Sequence, residues 1–412
     1  MLIYDPPELY AMRRSWLTKR ALKLKGEGAF AYLELAAKAK EKGLDVISFG
    51  IGQPDFVTPE HIREAAKRAL DKGITGYGPS GGLPELREAV AAWINENYGC
   101  DVSPVEVIIT AGAKAAIFAA LLCVISEGDE VIISDPSYPA YESVVRFLGG
   151  TPKPVPLREE EDWAFKVEDV ERAVTPKTKV LVLNYPHNPT GATLTPRQVE
   201  ELLSLAKERG LLVISDEIYD FFLYDGVHKP VLSDPSWRDF VIYVNGFSKT
   251  FSMTGWRLGY AVADRRIIER MEIAANNMYS CPPTFAQVAA KEALESGLDW
   301  FKPFFEDYKR RRDVLIEELS RIPGVSVVRP KGTFYSFPNV DKLLKLTGYE
   351  TAEKLVVDLL FEKGVLLLPG TAFPFEAGRR HLRVSFTVPV NKIREGMARF
   401  REWVKSKIRE GK

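Results

Sequence analysis

Lys249 is the side chain in this sequence best placed for covalent chemistry. It lies in the segment NGFSKTFSMTGWRLGY, residues 245–260, between the apolar runs 241–244 and 258–262. A lysine held between buried strands can form a Schiff base with a carbonyl compound, provided that other groups position the reacting partner. A solvated loop lysine is the alternative, but the small and aromatic residues around Lys249 favour the reactive interpretation.

Two further side chains follow the apolar run 211–214. Asp216 is predicted to lie just beyond the carboxyl end of a strand, where open α/β sheets bind their ligands. A carboxylate in that place can keep the nitrogen of a heteroaromatic ring protonated, so that the ring accepts electrons. Tyr219 lies three residues later and can donate a hydrogen bond from the same side. A helix N-cap aspartate and a core tyrosine are the alternative interpretations.

A strand-to-helix turn has the features of an anion site. The strand-like run 105–110 leads into the apolar helical run 112–125, and the backbone N–H groups at the start of a helix attract a phosphate group. An ordinary tight turn is the alternative. An arginine fork and a hydroxyl near Lys249 can add side-chain donors. The candidate phosphate-binding residues are Gly112, Ala113, Lys114, Ser248 and Arg257.

Together these segments resemble the class I and II aminotransferases, which are pyridoxal phosphate (PLP) enzymes of fold type I. The resemblance extends from about Gly28 to the C-terminus. It includes the lysine signature at 245–260, the Asp-Glu-x-Tyr motif at 216–219 and the loop NYPHNPTG at 184–191, which alone would be an ordinary turn. It implies that the cofactor is pyridoxal 5′-phosphate and that Lys249 first holds it and then acts as the general acid–base.

The resemblance also implies roles for residues around the cofactor. Asp216 is expected to bind the ring nitrogen, while Tyr219 and Asn188 bind the phenolic oxygen. Tyr138, in the segment DPSYP, matches the aromatic residue that stacks on the ring. Tyr77 matches a tyrosine that reaches the phosphate of the neighbouring subunit, so the resemblance implies a homodimer with shared active sites.

The α-carboxylate of an amino-acid substrate is best held by an arginine fork. Arg383 lies in the strand-like run HLRVSF at 381–386 and matches the family's carboxylate anchor; without that context, a solvent-facing arginine is the alternative. Gly52 matches a glycine whose backbone approaches the same carboxylate, and Asn188 is the third candidate for substrate binding. Relatives often have a serine at the position of Gly246, so one phosphate contact is expected to be missing.

The implied reaction moves an amino group from an L-amino acid to a 2-oxo acid such as 2-oxoglutarate by a ping-pong mechanism. A PLP-dependent carbon–sulfur β-lyase is the nearest alternative, because the same fold serves several reactions. A PLP-sensing transcription regulator would need a DNA-binding domain before the first motifs. The segment before Gly28 is short and has no helix-turn-helix pattern.

The preferred amino acid is specified less well than the reaction. Some prokaryotic aspartate aminotransferases have a lysine at the position of Lys114 that helps bind the distal carboxylate, although a solvated lysine is an equal alternative. The threonine that accompanies it there is replaced near Ala29, and the segment 275–282 lacks the side-chain arginine of another subgroup. Aspartate is therefore expected first, followed by aromatic amino acids and alanine.

These residues require a scaffold in which helices and strands alternate. Short apolar strands without polar alternation are typical of a parallel sheet covered on both faces, so the predicted fold class is α/β. A large PLP-binding domain is predicted at 60–295, and a smaller α+β domain that combines 1–59 with 296–412. Beyond the runs already named, the sequence predicts helices at 59–72, 83–98, 196–209, 298–321 and 391–408, and strands at 130–133, 179–183 and near Val325, Phe334, Val365 and Leu382.

The composition argues against several classes of partner. The 412 residues have a net charge of zero and 46% apolar content, which gives no electrostatic reason to bind nucleic acid or an anionic membrane. The longest apolar run, 115–125, is too short to span a bilayer, and residues 1–7 do not resemble a signal peptide. Three distant cysteines indicate a reducing cytoplasm, and abundant Glu, Lys and Pro are typical of a thermophile.

Overall fold

The computed structural model describes residues 16–410. Residues 1–7, in which the sequence predicts no signal peptide, lie outside this range. The helices are α1 (Gly28–Glu41), α2 (Glu60–Asp71), α3 (Pro84–Tyr98), α4 (Ala113–Val124), α5 (Pro139–Phe147), α6 (Val167–Ala173), α7 (Pro196–Arg209), α8 (Trp237–Phe240), α9 (Arg265–Tyr279), α10 (Thr284–Glu295), α11 (Lys302–Ser320), α12 (Asp341–Thr347), α13 (Ala352–Lys363) and α14 (Val390–Glu410). The strands are β1 (Ile47–Ser48), β2 (Val107–Thr110), β3 (Glu130–Asp135), β4 (Thr151–Pro156), β5 (Thr178–Asn184), β6 (Leu212–Asp216), β7 (Val241–Gly246), β8 (Gly259–Val262), β9 (Tyr335–Ser336), β10 (Val365–Leu366), β11 (Leu368–Pro369) and β12 (Leu382–Ser385).

A seven-stranded sheet forms the centre of the molecule, in the order β2-β8-β7-β6-β5-β3-β4. Neighbouring strands are parallel except for β8, which runs antiparallel to both β2 and β7. Successive side chains of a strand point to opposite faces of the sheet, and helices cover both faces. Val213 and Ile214 therefore belong to two different hydrophobic clusters. The predicted α/β class with a mostly parallel sheet is confirmed.

The edge strand β4 is the one strand of the central sheet that the sequence did not indicate. Its sequence, TPKPVP, contains three prolines, and proline is excluded from central strands because it has no N–H to donate. β4 pairs only with β3. The N–H groups of Thr151 and Leu157 donate to β3 or to the residue before it. Because the direction of the backbone N–H alternates along a strand, the nitrogen atoms of the three prolines between them face the side that has no neighbouring strand.

Two short sheets lie outside the central one, with the orders β1-β10 and β11-β12-β9. β1 comes from the N-terminal segment and pairs in parallel with β10, and α1 packs beside α13. Residues of α1 and β1 therefore pack on the C-terminal region. We propose the domain bounds 60–295 and 1–59 with 296–412, which this pairing supports.

Most predicted elements of the chain are present, with two differences in the C-terminal region. The helix expected at 298–321 begins only at Lys302, because Pro303 is tolerated in the first turn of a helix but not in its interior. The prediction of a strand near Val325 is wrong, since Ser326 forms only an isolated bridge to Asn339. Within residues 16–410, every helix is too short or too polar to cross a bilayer.

Candidate active site

The carboxyl ends of several parallel strands meet on one side of the central sheet. β5 ends at Asn184 and β6 at Asp216, and these residues are direct neighbours in the strand register. Asp216 is also paired with Val244 of β7, and Ser248 and Lys249 follow directly after β7. Side chains distant in sequence therefore converge at the edge where α/β sheets bind ligands.

A cavity of about 380 Å³ lies at this edge, a volume typical of a cofactor or small-ligand site. Gly112 lies directly behind its wall, against Arg257. Tyr77 lies elsewhere, in a surface loop, and is 92% exposed. The residues predicted from the sequence that line the cavity are Gly52, Ala113, Lys114, Tyr138, Asn188, Asp216, Tyr219, Ser248, Lys249, Arg257 and Arg383.

The amine of Lys249 projects into this cavity. Its Nζ donates a hydrogen bond to the carbonyl oxygen of Gly52 at 2.7 Å and lies 5.5 Å from the centre of the Tyr219 ring. Burial, reinforced by the positive charge of Arg383, lowers the pKa of Lys249 to about 8, against the opposing effect of Asp216. Near neutral pH, this lysine has far more of the neutral, nucleophilic amine than a solvated lysine has.

The carboxylate of Asp216 is buried and hydrogen-bonded. Tyr141 donates to Oδ2 at 2.7 Å, and the N–H of Ile218 donates to Oδ1 at 3.3 Å. Burial raises the pKa of Asp216 to about 6, while these two bonds favour the ionised form. A cation placed against the carboxylate, such as a protonated ring nitrogen, would stabilise that form further. Tyr141 was not predicted from the sequence, although it lies in the first turn of α5, three residues after Tyr138, and the centres of the two rings are 5.5 Å apart.

Gly112 and Arg257 meet where α4 begins. Because β8 runs against its neighbours, its first residue, Gly259, pairs with Thr110 at the end of β2, which brings Arg257 beside the start of the helix. Gly112 has a φ of 89°, and a Cβ at this position would overlap the guanidinium of Arg257. The free N–H groups of the first helical turn and this guanidinium together form a corner suited to a phosphate.

The absence of a side chain at position 246 is explained by the pairing of β7 with β8. It lies opposite Gly259 in the register, and a Cβ at Gly246 would be 2.8 Å from the Gly259 Cα. The two backbones are too close for any side chain at Gly246. Ser248 therefore supplies the only serine hydroxyl of this motif that lines the described cavity.

Asn184 holds the loop after β5 in place. Its amide nitrogen donates to the backbone oxygen of Asp216 at 3.0 Å, and its Oδ1 accepts the N–H of Asn188 at 3.1 Å. The neighbouring His187 is buried and bonded to Thr190 at 2.7 Å, and burial lowers its pKa to about 3. Asn184 thus orients Asn188 toward the cavity, while His187 is a neutral structural residue.

Arg383 lies within β12 and is buried. Its guanidinium donates to Asn188 Oδ1 at 3.3 Å and to the Gly50 carbonyl oxygen at 2.6 Å. It stacks against the rings of Tyr335 and Phe373, at 4.4 and 4.8 Å from their centres. Its Nε is a buried donor without a partner in the described chain. A buried arginine fork with an unused donor is well suited to bind a carboxylate.

Two further residues were not predicted from the sequence: Tyr335 lines the cavity beside Arg383, and Asp135 anchors residues 375–377. Tyr335 shares a hydrogen bond of 2.9 Å with Tyr219, and its hydroxyl occupies the space that a Cβ at Gly52 would need. Asp135, at the end of β3, accepts the N–H groups of Phe375, Glu376 and Ala377 at 2.9 to 3.1 Å. These contacts depend on segments remote in sequence, so no local pattern signals them.

Comparisons with known proteins agree with this geometry. The chain matches the family model "Aminotransferase class I and II" over residues 44–400. An aspartate aminotransferase of Sulfolobus acidocaldarius is 46% identical over 95% of this chain and 98% of that protein. Aromatic-amino-acid aminotransferase 2 of Thermococcus litoralis is 40% identical over 88% and 92%. The solved structure of aspartate aminotransferase from Thermus thermophilus with maleate superposes with a TM-score of 0.89 at 37% identity, covering 95% and 100%.

The chain therefore belongs to the class I and II aminotransferases. It is an enzyme that transfers amino groups between an amino acid and a 2-oxo acid, with pyridoxal 5′-phosphate as its cofactor. The resemblance, the fold type, the reaction and the cofactor predicted from the sequence are confirmed. The relatives named above are aminotransferases, as is the matching family.

The residues of the cavity fit pyridoxal 5′-phosphate at each of its functional groups. The low pKa of Lys249 suits the aldehyde, and the buried carboxylate of Asp216 suits the ring nitrogen. The corner at Gly112, which a Cβ would fill, suits the phosphate. The unpartnered Nε of Arg383 is left for the carboxylate of a substrate.

Proposed function

We propose that the enzyme is an aspartate aminotransferase that passes the amino group of L-aspartate to 2-oxoglutarate. The observation behind this proposal is the presence of two cations that are left over once the cofactor groups are matched. Arg383 has a buried unused donor, and Lys114 lines the cavity from the first turn of α4. One suits the α-carboxylate of the substrate and the other suits a carboxylate on its side chain.

The comparisons support a dicarboxylic substrate. The Sulfolobus acidocaldarius relative is named an aspartate aminotransferase, and the Thermus thermophilus structure contains maleate, which is a four-carbon dicarboxylate. The Thermococcus litoralis relative is named for aromatic amino acids, so an aromatic substrate is the second candidate. Alanine remains the third.

We propose the following division of labour in the reaction. The bound cofactor supplies an electron-accepting ring that stabilises negative charge at the substrate Cα. Lys249 Nζ accepts the Cα proton as a general base, which a pKa of about 8 permits. Asp216 keeps the ring nitrogen protonated, and Arg383 fixes the α-carboxylate so that the Cα–H faces the lysine.

The remaining residues of the site are proposed to hold the cofactor or the substrate. Tyr219 and Asn188 bind the phenolic oxygen, and Tyr138 packs against the ring. On the side of the cavity near Arg383, the side chain of Asn188 and the backbone of Gly52 also contact the substrate. The phosphate ligands are the side chains of Ser248 and Arg257 and the backbone at Gly112, Ala113 and Lys114, with Tyr77 from the neighbouring subunit; the ammonium of Lys114 is left for the substrate.

A substrate panel tests the proposed specificity. The holoenzyme is assayed with aspartate, glutamate, alanine, phenylalanine and tyrosine, each with 2-oxoglutarate or oxaloacetate as acceptor. We expect the highest kcat/KM for aspartate. A higher kcat/KM for phenylalanine or tyrosine would assign the enzyme to aromatic amino acids instead, and Lys114 would then have no substrate carboxylate to bind.

We also propose that the enzyme is a cytoplasmic homodimer from a thermophile. The exposed position of Tyr77 supports a role for this residue in a second subunit. The three cysteines are free thiols, which suits a reducing compartment. Thermus thermophilus and Sulfolobus acidocaldarius, named among the relatives, support a heat-adapted source.

A further inference from the structure

Glu27 is an acidic side chain of the active-site cavity that has no role in the division of labour proposed above. It directly precedes α1 but forms no side-chain hydrogen bond that caps this helix. Its carboxylate points instead into the cavity, where Oε1 accepts a hydrogen bond from the hydroxyl of Tyr138 at 2.8 Å. The same oxygen pairs with the ammonium of Lys114.

The contact with Lys114 neutralises the one cavity cation that the cofactor and the α-carboxylate leave free. Lys249, Arg257 and Arg383 are the other cations of this wall, and each has a proposed partner. An incoming side-chain carboxylate would meet the carboxylate of Glu27 at the same ammonium. Two carboxylates that share a partly buried site repel each other, so Glu27 must leave Lys114 before the substrate can pair with it.

The local structure permits that exchange. The side chain of Glu27 is 20% exposed and that of Lys114 is 50% exposed, so both reach the mouth of the cavity. The backbone nearby is anchored, because the N–H of Lys25 donates to the hydroxyl of Ser143 at 2.9 Å and its carbonyl oxygen accepts from the same hydroxyl. A change of side-chain rotamer is therefore sufficient to release Lys114.

We propose that Glu27 is a specificity-determining residue, whose carboxylate competes inside the protein with the side-chain carboxylate of the substrate for Lys114. This inference rests on the proposed preference for a dicarboxylic amino acid. A substrate with an uncharged side chain leaves the Glu27–Lys114 pair intact. Glu27 therefore lowers the affinity for dicarboxylates and leaves the affinity for other substrates unchanged.

Glu27→Gln tests the competition, because it removes the charge but keeps the length and an acceptor for Tyr138. Binding of succinate, a four-carbon dicarboxylate that has no amino group to transfer, is measured on the holoenzyme by calorimetry. We expect Glu27→Gln to lower the Kd for succinate and the KM for aspartate about three- to tenfold. The KM for alanine should change less than twofold.

Glu34→Gln is the matched control, since Glu34 is exposed on the same helix and its loss changes the net charge equally. It should leave all these constants within twofold. If Glu27→Gln weakens succinate binding, or changes the KM for aspartate and alanine by the same factor, the competition is refuted while the proposed substrate stands. If the unmodified holoenzyme neither binds succinate nor transaminates aspartate, the proposed substrate itself is wrong, and the role of Glu27 falls with it.

Discussion

At the scale of single residues, the reactivity of Lys249 depends on its surroundings more than on its own chemistry. Burial and the nearby guanidinium of Arg383 lower its pKa from 10.5 to about 8. The same guanidinium is proposed to bind the substrate carboxylate, which would cancel its charge when the substrate arrives. The residue that positions the substrate therefore also helps to keep the lysine neutral before binding.

The first prediction concerns the pH dependence of Lys249 labelling. Only the deprotonated amine attacks an aldehyde, so the rate at which cofactor-free protein captures pyridoxal 5′-phosphate should rise with pH and level off above a midpoint near pH 8. A lysine with an ordinary pKa would be deprotonated in only roughly one molecule in 300 at that pH. Borohydride reduction followed by peptide mapping measures the captured fraction.

Two variants sharpen this labelling experiment. Arg383→Gln should move the midpoint to higher pH, because it removes a positive charge that disfavours the protonated amine. Lys249→Ala should abolish both the labelling and turnover. Labelling of any other lysine at the same rate would contradict the assignment of Lys249.

The second prediction concerns the buried carboxylate. Asp216→Asn keeps the size of the side chain but removes the charge that holds the ring-nitrogen proton. The variant should lose about 3 kcal/mol of transition-state stabilisation, so its kcat should fall roughly a hundredfold. Tyr141→Phe removes only the hydrogen bond donated to Asp216 and should cost less. Steady-state kinetics of both variants measure the effect, and a near-normal kcat in Asp216→Asn would show that another group serves the ring nitrogen.

At the scale of secondary structure, the reversed strand β8 brings together the residues that we propose bind the phosphate. Its antiparallel direction places Arg257 next to the first turn of α4, although some 140 residues separate them along the chain. The close approach that results requires Gly246 and Gly259 to face each other. The tight pairing of β7 and β8 thus excludes a side chain at position 246.

The third prediction tests this close pairing. Gly246→Ser adds a side chain whose Cβ would lie 2.8 Å from the Gly259 Cα, so the strands must separate. Overpacking of this kind costs about 1–3 kcal/mol of unfolding free energy. Gly255→Ser is the control, since a Cβ at that position meets no atom within 4 Å. Chemical denaturation measures both variants, and equal stability of the two would refute the steric explanation.

At the scale of the whole molecule, the position of Tyr77 bears on assembly. The other proposed phosphate ligands line the cavity, except Gly112, which lies against the lining residue Arg257. Tyr77, by contrast, lies in a surface loop and is 92% exposed. Tyr77 does not line the cavity of its own chain, so its proposed contact with a phosphate requires a second copy of the chain. A two-fold dimer would place each Tyr77 at the active site of its partner.

The fourth prediction is that two inactive chains restore activity when they are mixed. Tyr77→Arg and Lys249→Ala each abolish activity alone, but in a heterodimer one site contains both lesions and the other contains neither. Activity should therefore return after subunit exchange. Tyr77→Phe alone should weaken cofactor binding by about 1.5–3 kcal/mol, as expected for a lost hydrogen bond to a charged group. An active monomer, or proven exchange without activity, would refute the shared site.

The sequence by itself indicated the reaction class and the cofactor through its resemblance to the class I and II aminotransferases, and its local patterns predicted most of the secondary structure. Apolar runs and turn residues are local signals, so the helix at 196–209 has the predicted bounds and the strands before Asp216 and Lys249 were found. Because ligands bind beyond the carboxyl ends of parallel strands, the residues after these strands were predicted as site residues without knowledge of the sheet order.

Only the tertiary structure decided which remote segments complete the cavity. The position of β4 at the sheet edge and the reversed direction of β8 depend on strand neighbours, which no local pattern specifies. The contacts of Tyr141 with Asp216 and of Glu27 with Lys114 join segments 75 and 87 residues apart. The tertiary structure also decided the pKa of Lys249, because the amine is buried and lies near the charge of Arg383 only once the chain has folded.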